Sequence, residues 1–250
     1  MVRVSVVTLT WNNLEYTKKA VESIKKILTP DDEVVFVDNL SNDGTALYLD
    51  LLELPCATTV NILPFQCGIG HAYNKAFSQC SGEYIFIYDN DLEIVMPNTL
   101  EHLIKVHEER QDAGIVCPCC NNVMGRYRCC LDIQYLEHDI VEISKKWNCA
   151  WPECPSAAWL IKKKCLAEIG GWDEQFDPYG IADYDYALRV VNAGWKILVD
   201  RHIFVKHYGG VTSSKYVNGE MLEKTRQLFF KKWYPNEQYP KGGAPRIRNR

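Results

Sequence analysis

The sequence predicts an α/β fold with a mostly parallel central sheet. Three observations lead there. Residues 2–100 alternate apolar, β-branched runs with amphipathic helical stretches, the pattern of repeated strand-helix units. The apolar runs are short and unbroken, as in strands covered on both faces. The chain has 250 residues, 47% of them hydrophobic and 24% charged, which suits a globular protein with a sizeable core.

The elements follow in order. "RVSVVTLT" (3–10) is a buried first strand. Leu14, Ala20, Val21, Ile24 and Ile27 share one face of a helix over 14–27. "EVVFVD" is the second strand, Asp43-Gly44 makes a turn, and "TALYLDLLEL" is a helix. "TTVNILP" is the third strand, 69–80 a helix, and "EYIFIYD" the fourth strand. Beyond Pro97 come a helix over 98–110 and the strand "AGIVCP". Residues 121–155 read as irregular and are rich in Cys, Asn and Trp. "SAAWLIKKKCLAEIG" is a strand turning into a helix, and "GGWDEQFDPYG" is a loop. A helix over 183–194 precedes a strand pair, "WKILVD" and "IFVKH", and an amphipathic helix spans 219–233.

Composition excludes several classes. The formal net charge of -4 gives no global field toward nucleic acid, although the tail "KGGAPRIRNR" is basic. No apolar run approaches the ~18 residues of a membrane span. The N-terminus turns polar too soon for a secretory signal, so a cytoplasmic location is expected. The 11 cysteines are then reduced thiols. Cys117, Cys119, Cys120, Cys129 and Cys130 cluster, but without the CxxC spacing of a zinc knuckle. Buried thiols are expected there rather than zinc.

In open α/β sheets, ligands bind beyond the carboxyl ends of the strands. Thr10, Trp11 and Asn12 follow strand one, and Asp38, Asn39 and the turn to Thr45 follow strand two. "FQCGIGHAYNKA" follows strand three, and Asp89-Asn90-Asp91 follows strand four. An aromatic face, a carboxylate acceptor, a glycine turn and a carboxylate pair together suit a base, a ribose and a metal-bound pyrophosphate. The "GIGHAY" fragment follows the third strand and lacks a third glycine, so it is a weak dinucleotide signal.

These segments resemble the inverting glycosyltransferases of the GT-A fold, most closely the large family 2 group, over about residues 2–210. "VSVVTLTWNN" is similar to that family's opening strand, and "VVFVDNLSNDGT" to its "DNxSxDGT" turn. "QCGIGHAYNKA" resembles "NxGxxxAxNxG", with Gln66 for Asn and Ala76 for the last Gly. "DND" stands in the place of the DxD motif. "AAWLIKKKCLAEIGGWDEQF" resembles "GAxxxxRRxxxxxxGGFDExF". "ADYDYALRVVNAGWKILVD" resembles "EDxDLxxRxxxAG", with Ala182 where Glu is usual, and "VKH" resembles the late histidine.

The resemblance implies a GT-A domain over 1–215, with a nucleotide-binding half (1–100) and an acceptor-binding half (101–215). A C-terminal helix and basic tail (216–250) follow. It implies a metal-dependent, inverting transfer from a nucleoside diphosphate sugar, UDP-linked above all, to a glycan or glycoconjugate hydroxyl. Asp91 would bind Mn2+ or Mg2+, Asp89 would approach the ribose and reach the metal through water, and His207 would complete the metal shell. Trp11 would stack on the base, and Asp38 would accept the uracil N3–H. Thr10, Gly68, His71, Asn74 and Asn90 complete the expected donor site, with Asn74 facing the ligand. Asp183 would be the base that deprotonates the acceptor, while Asp185 would pair with Arg189 one turn on. Trp172 and Tyr179 would line the acceptor cleft, and Trp159 and Trp195 suit the core. The last helix joins Phe229, Phe230 and Trp233 to Arg226, Lys231 and Lys232, a face for a membrane surface or for the domain itself. Two other readings share these features. A sugar-phosphate nucleotidyltransferase would want a basic, Gly-rich loop in place of "TLTWNN". A non-catalytic nucleotide-sugar or glycan-binding module would tolerate Gln66, Ala76 and Ala182.

Overall fold

The computed structural model describes residues 2–121, 134, 136–143, 157–212 and 217–236. The nine strands among them form one mixed sheet. Four strands run parallel: β1 (Val4–Thr10), β2 (Glu33–Asp38), β3 (Ala57–Ile62) and β4 (Tyr84–Tyr88). The remaining strands are β5 (Leu92–Ile94), β6 (Ala113–Cys120), β7 (Ile140–Glu142), β8 (Ala158–Lys162) and β9 (Lys196–His207). The order across the sheet is β3-β2-β1-β4-β8-β6-β9-β5. β8 lies antiparallel between β4 and β6, β9 is parallel to β6, and β5 and β7 pair antiparallel with β9.

Helices cover both faces. α1 (Leu14–Ile24), α2 (Thr45–Asp50) and α4 (Thr99–Glu109) bury Val4, Val6, Phe36, Phe86 and Tyr88. α3 (Ile69–Phe77), α5 (Lys163–Ile169), α6 (Ala182–Asn192) and α7 (Gly219–Trp233) bury Val7, Val35, Ile85, Ile87 and Trp159 on the other face. Side chains alternate along a strand, so a strand covered twice must be apolar at successive positions. That is why the β1 and β4 runs are unbroken.

The structure departs from expectation mainly in its strands and helix ends. "WKILVD" and "IFVKH" form one long strand, not two. The register against β6 jumps from Pro118↔Asp200 to Cys119↔Phe204, so residues 201–203 bulge and the chain continues. β5 and β7, three residues each, were not foreseen because they are too short to show a period. The second helix stops at Asp50. The aromatic residues of α7 face inward: Phe229 and Phe230 are buried, and the Trp233 indole N–H donates to Asp185 Oδ1 at 2.9 Å. Of the two readings of that helix, packing on the domain accounts for Phe229 and Phe230. Cys117, Cys119 and Cys120 are buried in β6, while Cys129 and Cys130 lie outside the described residues.

Candidate functional site

β4 delivers Asp89-Asn90-Asp91 to the carboxyl edge of the sheet. The turn is anchored on three sides. The Asn90 side-chain N–H donates to Thr17 Oγ1 of α1 at 3.1 Å. Leu92 N–H donates to Asp89 O at 3.1 Å, and Tyr208 N–H to Asp91 O at 3.0 Å. The β5–β9 pairing sets Leu92 opposite His207. Asn121 holds the His207 backbone on both sides, accepting from its N–H at 2.7 Å and donating to its carbonyl at 2.9 Å. His207 Nε2 thus lies 3.2 Å from Asp91 Oδ1. β5 is the device that joins two motifs over a hundred residues apart.

Asp89 turns the other way. Its Oδ1 accepts the Tyr73 hydroxyl at 2.9 Å. Burial, and then the charge of Asp91, push the Asp89 carboxyl up to about 7, against the pull of His207 and the Tyr73 hydroxyl. Among the described residues, no three His, Cys, Asp or Glu side chains are grouped to hold a metal. The expected set of Asp89, Asp91 and His207 is therefore a pair, Asp91 with His207, beside a diverted Asp89. A carboxylate and an imidazole still suit a divalent ion that draws its other ligands from substrate phosphates.

Thr10 and Trp11 line the cleft, as does Asn90. Asp38 does not. It is fully buried and accepts Thr10 Oγ1 at 2.7 Å, Ser41 Oγ at 2.6 Å and Ser41 N–H at 2.8 Å. Its carboxylate closes the turn after β2 instead of facing a base. The next residue, Asn39, reaches the cleft wall and clasps the Cys67 backbone, donating at 2.9 Å and accepting at 2.8 Å.

The glycine segment is also a correction. Gly68 precedes α3 and lines the cleft, but the group that approaches its backbone is Asp177. A Cβ on Gly68 would stand 2.0 Å from Asp177 Cγ. Asp177 accepts Gly70 N–H at 2.8 Å and His71 N–H at 3.2 Å, and the Pro178 carbonyl accepts Ile69 N–H at 3.1 Å. Three of the four open donors of the helix N-terminus are thus filled from within the chain. His71 is exposed and its Nδ1 lies 3.1 Å from Glu174 Oε2. Asn74 does not face the cleft. Its amide donates to Trp172 O at 2.9 Å and Glu174 Oε1 at 2.8 Å, and accepts Trp172 N–H at 2.8 Å. It braces the 172–174 loop.

α6 separates its two acids by helical phase. Asp183, in the first turn, is half-buried and lines the cleft, and its Oδ1 accepts Tyr184 N–H at 2.9 Å. Asp185 is fully buried and accepts Arg189 Nε at 2.8 Å, as well as the Trp233 indole. The cleft holds about 540 Å³. Asp89, Asp91 and His207 line it, as do Trp172 and Tyr179 of the 171–181 loop and Asp183 of α6. Trp172 stacks on Tyr73 with centroids 4.7 Å apart, while Trp159 is core. Sequence reading placed Asn39 at this rim but gave it no role, and it missed Tyr73 and Asp177. Tyr73 sits inside the glycine segment, so its neighbours marked it. Asp177 is 107 residues from Gly70 and carries no spacing signal.

A family model described as "Glycosyl transferase family 2" matches residues 5–170. The glycosyltransferase GlyG of Streptococcus pneumoniae is 32% identical over 115 residues, 45% of this chain and 37% of GlyG. Staphylococcal (S. aureus) TarS in complex with UDP-GlcNAc superposes with a TM-score of 0.67 at 20% identity, over 91% of this chain and 65% of that one. The mannosyltransferase PcManGT of Pyrobaculum calidifontis, in complex with GDP-Man and Mn2+, superposes with a TM-score of 0.64 at 21% identity, over 82% and 56%. The chain spans 35% to 67% of the length of three curated relatives it matches.

Proposed function

Because the chain belongs to glycosyl transferase family 2 and has the GT-A fold, we propose that its cleft binds a nucleoside diphosphate sugar and transfers the sugar, with inversion, to a glycan or glycoconjugate hydroxyl. One observation carries the reading. Asp91 with His207, and Asp183, line one cleft at the sheet's carboxyl edge. One group suits a departing diphosphate and the other an incoming hydroxyl.

Asp183 Oδ takes the proton of the acceptor hydroxyl as its oxygen attacks C1 of the sugar. The bond from C1 to the diphosphate oxygen breaks on the opposite face. Asp91 and His207 would hold a Mn2+ or Mg2+ ion, which when bound supplies Lewis-acid neutralisation to the leaving diphosphate. Trp11 offers a face to the base, and Trp172 and Tyr179 offer apolar surface to a sugar ring. Tyr73 fixes Asp89 at the rim. Asp38 is turned inward onto Thr10 and Ser41 and is not placed to select uracil. UDP is the first donor to test because TarS is a complex with UDP-GlcNAc, and GDP the second because PcManGT is a complex with GDP-Man.

The test is release of nucleoside diphosphate from a panel of UDP-, GDP- and dTDP-sugars with Mn2+. Turnover of at least one donor, abolished by EDTA, is expected. Binding of a donor with no turnover under any condition would contradict the reading and favour a binding module.

A further inference from the structure

We infer that Lys232 and Trp233, at the end of α7, are positioning residues: they fix α6 and the 171–181 loop against the cleft, and through α6 they aim Asp183. The inference rests on the reading of Asp183 as the base. α7 (Gly219–Trp233) lies beyond residues 5–170, the span of the family match, so no family motif marks it.

The contact is built on Asp185. Its side chain is fully buried, and three donors meet its carboxylate. Lys232 Nζ lies 2.6 Å from Oδ1, and the Trp233 indole N–H donates to the same oxygen at 2.9 Å. Arg189 Nε donates to Oδ2 at 2.8 Å. A buried carboxylate is costly unless it is paired and hydrogen-bonded, so Asp185 sits where its partners hold it. It shares the first turn of α6 with Asp183, two residues before it. A shift at Asp185 is therefore a shift at Asp183.

The same lysine reaches the loop. Its Nζ donates to Asp173 Oδ2 at 2.7 Å and lies 5.5 Å from the centroid of the Phe176 ring. Phe176 is buried against Phe229 of α7, with centroids 6.4 Å apart. Gly180 passes so close to α7 that a Cβ there would stand 2.2 Å from Thr225 Oγ1. Arg189 ties α6 back to the start of the loop, donating to the Ile169 and Gly171 carbonyls at 3.0 and 2.8 Å. Trp172, Tyr179 and Asp183 of the cleft are thus held from behind by one helix, and Met221 of that helix lines the cleft itself. Lys232 is the junction, since its single charge serves one carboxylate on the loop and one on α6.

Two variants test this. Lys232→Met keeps the stem and removes the charge, and Trp233→Phe keeps a ring and removes the donor. The reference ligand is the diphosphate, UDP or GDP, of the donor that the wild type turns over. Each variant should bind it at one per chain, with a Kd within about twofold of wild type, while kcat falls at least about tenfold, as for a displaced reacting group. Lys232→Arg should recover most of that loss. Hydrogen exchange reads the clamp without turnover: amides of 171–186 should exchange at least about tenfold faster in Lys232→Met, with β1 and β2 unchanged. Wild-type kcat in both variants would overturn the inference, as would equal exchange over 171–186. If the wild type turns over no donor, the transferase reading is what fails, and the exchange result alone decides the clamp.

Discussion

Burial and the neighbouring Asp91 lift the Asp89 carboxyl to about 7, well above the ordinary 3.8 that it regains on unfolding. The folded chain therefore holds this proton more tightly than the unfolded chain between those values. Stability falls as pH rises from about 4 to about 7, and the loss is complete above both. Asp89→Asn removes the charge and keeps an acceptor for the Tyr73 hydroxyl. In metal-free protein the variant should melt higher than wild type at pH 8, by about 2–4 °C for each ~1 kcal/mol recovered. The gap should close as pH drops to 4. A gap that is equal at pH 4 and pH 8, or reversed, would show that Asp89 is not raised. Tyr73 matters here because its hydroxyl is the neutral donor that steadies the ionised form.

At the scale of elements, α3 shows how a motif can be read in the right place for the wrong partner. Its glycines do mark a close approach to a helix N-terminus. The approaching group is Asp177, not a ligand, and only the folded chain brings it there. Asp177→Ala would leave Gly70 and His71 N–H unpaired, at a cost of about 1–3 kcal/mol. Urea denaturation should show that loss, with Asp177→Asn in between; a change below about 0.5 kcal/mol would mean that the latch is not a stabilising contact. Strands β1, β2 and β4 were legible because two-sided burial demands unbroken apolar runs. β5 and β7 were not, since three residues carry no period, yet β5 sets His207 beside Asp91. The β9 bulge was hidden because a register jump depends on the partner strand, and the local residues read as two strands.

The whole molecule joins a sheet edge, made by the ends of β1, β2 and β4, to a wall supplied by the 171–181 loop and α6. Asp38 and Asn74 show the limit of spacing arguments. Both stand where the motif has them, but Ser41 and Thr10 claim the first, and the Trp172 backbone claims the second. Asp183 differs, because Asp185 takes the buried pairs with Arg189 and Trp233 and leaves Asp183 to the cleft. The central claim is that Asp183 deprotonates the acceptor. The most direct measurement compares donor affinity with turnover in Asp183→Asn. The account predicts a donor Kd within about twofold of wild type and turnover reduced at least about 100-fold. Wild-type turnover in the variant would contradict it.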